Sequence, residues 1–103
     1  MTGREEWTNE DTTALFRAIL TLKAVPEAER FFRDLCTLRE LEEFSRRWAV
    51  VRRLEQGEPY RAIAEGTGVS TATVTRISHW LRHGTGGYDL ALDRLDLRST
   101  QTS

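Results

Sequence analysis

The stretch PYRAIAEGTGVSTATVTRISHWLR, residues 59–82, decides the reading of this 103-residue chain. It divides at Gly66 to Ser70 into two segments too short to be stable helices alone in water, so each must brace the other. Ile63 and Val69, with Val74 and Ile77, supply a small shared apolar core. Ala64 leaves room for close helix approach, and Gly68 permits the positive φ of a sharp turn. Those residue types at those spacings predict a helix-turn-helix. Ser70 is placed to cap the second helix and to add backbone amides suited to a phosphate. Opposite Val74 and Ile77 the second helix presents Thr71, Ala72, Thr75, Arg76 and His79, short near its N-terminus and longer farther on, a face that a DNA major groove admits. Thr71 and Thr75 can donate or accept at base edges, Ala72 and the threonine methyls can touch a thymine methyl, and Arg76 can reach guanine or a phosphate. Arg61 on the first helix is a further candidate for base or backbone contact. Arg46, Arg52, Arg53, Arg82 and His83 are candidates for tracking phosphates, which position a protein without reading sequence.

Outward from this segment the helical pattern continues. Thr37 and Glu40 have the spacing of a capping box, and Leu41, Phe44, Trp48, Val51 and Leu54 follow at steps of three or four until Gly57 offers a left-handed end, which predicts a helix over 38–56. Pro26 suits the first turn of an earlier helix whose apolar face is Phe31, Phe32 and Leu35, ending near Cys36. Thr8 with Asp11 reads as a capping box for a first helix over 9–22. After the flexible run Gly84-Thr85-Gly86-Gly87, the residues Tyr88, Leu90, Ala91, Leu92 and Leu95 predict a last helix over 87–97, and 98–103 read as a frayed tail. Apolar residues nowhere alternate over a useful length, so the fold class is all-α: a small multi-helix domain containing a helix-turn-helix. The chain reads as one domain over 1–103, with 9–56 forming the core and a subunit interface. At this length a core is small and a partner subunit is expected.

Charge supports the same focus on the middle of the chain. The formal net charge of −1 gives no general pull toward nucleic acid, so any such pull must come from arrangement. Six basic face ten acidic residues from Met1 to Ser45, seven face three from Arg46 to His83, and two face three from Gly84 onward, giving −4, +4 and −1. The positive charge is one central block. No apolar run is long enough for a membrane span and no cleavable apolar leader opens the chain, which predicts a cytoplasmic protein without a membrane partner. Cys36 is read as an apolar filler. Trp7, Trp48 and Trp80 are read as packing residues, and His79 with His83 lacks the further ligands of a metal site, so no metal is expected.

From Thr37 to about Arg82 the chain resembles the tryptophan repressor family, and from Leu20 to Leu95 it resembles the YerC/YecD-type branch more closely. The matching residues are Gly57, Tyr60-Arg61-Ala62-Ile63-Ala64 and Thr67-Gly68-Val69-Ser70-Thr71-Ala72-Thr73-Val74-Thr75-Arg76. The Gly86-Gly87-Tyr88-Asp89-Leu90 motif with Leu95 is that of the branch. The resemblance implies an interlaced homodimer whose paired reading heads meet successive major grooves of a near-palindromic operator on double-stranded DNA. It also implies an effector pocket in which Arg47 and Arg76 clamp an amino acid, with Thr37 and Thr73 at further pocket positions. Two residues oppose tryptophan there: Ile77 stands where the repressors have glycine, and Trp80 where they have a small serine. Bulky apolar side chains at both places fill the room an indole needs, so no tryptophan cofactor is expected and another small effector stays open.

Three function classes follow. The first is a transcriptional regulator, a repressor that occupies its operator. The second is a protein-interaction module using the same helical face without DNA. An enzyme is the third and is not expected, because no carboxylate pair, nucleophile–base set, metal cluster or phosphate-cradling loop stands out.

Overall fold

In the computed structural model, which describes residues 6–98, the chain forms six helices: α1 (Glu10–Ile19), α2 (Val25–Leu35), α3 (Leu38–Glu55), α4 (Tyr60–Thr67), α5 (Thr71–His83) and α6 (Gly87–Arg94). The described residues contain no strand, so the all-α class is the observed one. Packing divides the chain into two units, one ending at Leu41 and the other beginning at Glu42. The division falls inside α3, where the sequence offers no linker.

In the N-terminal unit the first helix opens one residue later than the Thr8/Asp11 pattern suggests. Asn9 is the cap: its Oδ1 accepts the Thr12 amide at 2.9 Å, while the Thr12 hydroxyl oxygen accepts the Asn9 amide at 2.8 Å. Asn is among the strongest N-cap residues, and Thr12 at the third helical position returns the second bond of the box. The helix also ends before the expected residue 22. The amides of Thr21 and Leu22 turn to carbonyls three residues back, Ala18 and Ile19, and the Thr21 hydroxyl donates to Ala18 O at 2.6 Å, which tightens the last turn. Helix α2 has Pro26 in its first turn, and the Glu27 carboxylate, instead of a capping side chain at Ala24, accepts the Lys23 amide at 2.8 Å. Cys36 closes α2 through its backbone and is only half-buried, so it is not a core filler. Neither α1 nor α2 buries a single residue: Phe16, Leu20, Val25 and Leu35 are exposed.

The start of α3 is as the sequence predicts, with Thr37 and Glu40 exchanging both bonds of a capping box at 2.8 and 3.1 Å. The C-terminal unit has a core of Val50 and Val51 from α3, Ile63 from α4, Val74 and Ile77 from α5 and Leu92 from α6. Trp48, Leu54, Ala64, Val69, Leu81 and Tyr88 pack around it. Gly68 ends α4 with φ +81°, a conformation that costs a side chain with a Cβ and that sets the reversal into α5. Helix α6 is three residues shorter than expected because the chain turns back: the Leu97 amide reaches Leu92 O at 2.9 Å, with Asp96 at φ 59°. Arg98 then fastens the end. Its guanidinium meets Asp89 and Asp93 at 2.8 Å and Glu55 on α3 at 3.3 Å. The Asp89 hydrogen bond, offset in part by desolvation and aided by Asp93, raises the Arg98 pKa further above its ordinary value, so the cation persists wherever the protein is folded. The predicted frayed tail therefore does not begin at 98; residues 99–103 of it lie outside the described residues.

Candidate nucleic-acid interface

The face of α5 is set by its cap and by the core beneath it. Ser70 accepts the Thr73 amide at 3.1 Å and donates to the Thr73 hydroxyl oxygen at 3.0 Å. A single cap of this kind leaves other first-turn amides, which have no intrahelical acceptor, pointing outward. Val74, Ile77 and Ser78 are buried, and Thr71, Ala72, Thr75, Arg76 and His79 are all exposed on the remaining surface. The five side chains expected on one face are thus together on it. One refinement concerns Thr75, whose hydroxyl donates to Thr71 O at 3.0 Å. With its proton engaged in the helix, Thr75 presents lone pairs and matches base-edge donors such as the amino groups of adenine or cytosine.

The basic residues separate into two kinds. Arg52, Arg61 and Arg82 are exposed. Arg46 and Arg47 are also exposed, each near a glutamate one turn back, Glu42 at 4.0 Å and Glu43 at 3.8 Å, pairings weak enough in water to yield to a phosphate. Arg53 differs from these in its surroundings. It is half-buried, meets Glu58 at 3.5 Å, and its guanidinium lies over Gly66 so closely that a Cβ there would collide with it. Its planar head lies between the end of α3 and the body of α4, with 37% of the side chain exposed. His79 and His83 stand side by side, ring centroids 5.0 Å apart, and His79 also meets Trp80 edge to face at 5.4 Å. Trp80 itself is exposed, unlike the packed Trp48, whose ring lies 6.3 Å from Tyr88. Among the described residues no group of three or more His, Cys, Asp or Glu could hold a metal ion.

Between α3 and α5 runs an open groove of about 550 Å³ lined in part by Arg47, Thr73, Arg76, Ile77, Trp80 and Tyr88. Three of the four candidate effector residues are thus brought together, while Thr37 belongs to the N-terminal unit and caps α3. Of the two bulky lining residues, Ile77 is buried and Trp80 is exposed.

Sequence reasoning missed one contact in the reading head. Ser78, 4% exposed, accepts a hydrogen bond from the Tyr60 hydroxyl at 2.6 Å. The signal was available: Ser78 falls four residues after Val74, on the apolar side of α5, where a polar group requires a partner.

The comparisons with known proteins agree with this geometry. The family model for Trp repressor protein matches residues 10–96. The YerC protein of Bacillus subtilis is 43% identical over 89 residues, 86% of each chain. A crystal structure of a TrpR-like protein from Eubacterium eligens superposes with a TM-score of 0.84 at 40% identity, covering 89% of this chain and 95% of the other. A crystal structure of a Trp repressor-type protein from Staphylococcus aureus does so at 0.87 and 35% identity, covering 96% and 99%. No helix among the described residues is long and apolar enough to cross a membrane. The helix-turn-helix, the exposed α5 face and these likenesses together establish that the chain belongs to the Trp repressor protein family, a family of DNA-binding transcription regulators.

Proposed function

We propose that the protein is a homodimeric repressor that binds a near-palindromic operator by inserting α5 into the major groove of each half-site. The observation that carries this reading is the α5 face: Thr71, Ala72, Thr75, Arg76 and His79 lie exposed above a buried Val74 and Ile77. Thr71, Ala72, Thr75 and Arg76 read base edges. Arg61 and His79 flank them, and Arg46, Arg82 and the amides beside Ser70 hold phosphates. The dimer is supported by α1 and α2, which carry exposed Phe16, Leu20, Val25 and Leu35 and no buried residue. Apolar faces of that extent are characteristic of subunit contacts. The regulator works in the cytoplasm.

Tryptophan is not the effector in this reading, because the bulky Ile77 and Trp80 line the α3–α5 groove, and a different small molecule remains open for Arg47, Thr73 and Arg76.

The test is selection of bound sequences from a random duplex pool with purified protein, at low and moderate salt, without and with tryptophan. The expected result is an inverted repeat with half-sites one helical turn apart, bound equally in both tryptophan arms and lost steeply as salt rises. Enrichment only with tryptophan would overturn the effector reading. No enrichment in any arm would leave two readings, a regulator that requires a different effector or a protein-interaction module on the same face.

A further inference from the structure

Helix α5 is held on α4 by apolar contact and by one directional bond. Ile63, Val74 and Ile77 are buried together, and burial of this kind is non-directional, so it opposes separation of the helices more than rotation of one about its own axis. The Tyr60–Ser78 hydrogen bond, at 2.6 Å, is directional. It joins the first residue of α4 to a point on α5 within one turn of Thr75, Arg76 and His79.

We infer that Tyr60 is a positioning residue for sequence readout: through Ser78 it fixes the rotation of α5, and with it the direction in which Thr75 and Arg76 leave the helix. The inference rests on DNA reading by α5. A helix with its side chains is about 10–12 Å across, so a rotation of ~10° carries side-chain tips by ~1 Å. A binding constellation has to be held within about 0.5 Å. Long arginines reaching phosphates absorb such a shift, and short threonines at base edges do not. The same lack of slack explains why a polar pair is kept inside an otherwise apolar contact: a phenylalanine facing an alanine at these two positions would pack as well and specify the rotation less.

The experiment compares the wild type with Tyr60→Phe, Ser78→Ala and the double variant. Each is titrated on the selected operator and on a random duplex of equal length, well below its melting temperature. Tyr60→Phe is expected to weaken operator binding about 10-fold, the scale of one good base contact, and to leave random-duplex binding within about 2-fold. The double variant should lose no more than either single one, because both act through one bond. A Tyr60→Phe protein that melts lower but keeps the wild-type ratio of the two affinities would make the bond structural only and overturn the inference. Equal weakening on both duplexes would also overturn it, since the half-exposed Tyr60 would then be touching the DNA backbone itself. A wild type that selects no sequence overturns the DNA-reading function, and the inference with it; a wild type that selects an operator while Tyr60→Phe keeps its ratio overturns the inference alone.

Discussion

The two units of the chain are both built from amphipathic helices and end with different amounts of burial. From Glu42 onward, α3 to α6 enclose six apolar side chains, five of them at 0% exposure. Ahead of that point α1 and α2, though they carry Phe and Leu at helical spacing, enclose none. The contrast teaches that an apolar stripe on a helix states a demand for a partner and does not say where that partner is. In the C-terminal unit the chain meets much of the demand itself, although Phe44, Trp80 and Leu90 stay exposed. In the N-terminal unit Phe16, Leu20 and Leu35 stay exposed, and the proposed homodimer rests on that exposure.

Four variants break or sharpen that contrast. Ile63→Ala should be the most damaging, because it opens a cavity at a site with no exposure; a loss of about 2–5 kcal/mol is expected in denaturant unfolding. Unfolding free energy close to that of the wild type would show that the C-terminal core is looser than its burial implies. Leu20→Asp with Leu35→Asp should barely matter to an isolated chain. If these side chains are interface, about 1.5–3 kcal/mol is lost for each one that the partner buries. Light scattering at micromolar concentration should then give half the wild-type mass, and an unchanged mass would remove these two helices from the interface. Arg76→Ala should leave folding intact and weaken operator binding by roughly 1–3 kcal/mol, measured against a random duplex; unchanged preference would mean that Arg76 reads nothing. Ser70→Ala, which removes the cap of α5, should lower stability by about 0.5–2 kcal/mol, seen as a small fall in the thermal midpoint.

Much of α3 to α5 was legible in the sequence because these elements are specified locally. The capping box at Thr37 and Glu40, the turn glycine Gly68 and the Ser70 cap act over three or four residues, and the α5 face follows from the spacing of Val74 and Ile77. Errors arose where a local choice had close competitors. Asn9 displaced Thr8 as the first cap, and the Thr21 hydroxyl bond closed α1 early. The boundary between the units was hidden because Leu41 and Glu42 sit inside α3, where nothing in the residue types changes. The less legible contacts join residues far apart in sequence. Tyr60 and Ser78 are separated by a turn whose geometry has to be known before the pair can be seen, and Arg53 looked like a surface arginine until Gly66 and Glu58 were placed around it. A charge count locates a basic block, whereas only the placed side chains distinguish an arginine that is displayed from one that is already engaged.

The Arg98 cluster bears on how the chain can be shortened or fused. Glu55, Asp89 and Asp93 converge on that one guanidinium, and Asp89 and Asp93 belong to the helix that carries the fully buried Leu92. A chain cut after Arg98 keeps its clasp. One cut a residue earlier, after Leu97, brings three carboxylates together at the place the cation held and adds a fourth from the new terminus, so their repulsion acts directly on α6. Two truncations differing by a single residue should therefore differ in how firmly the end of α6 is held, and a fusion partner joined on this side belongs beyond residue 98.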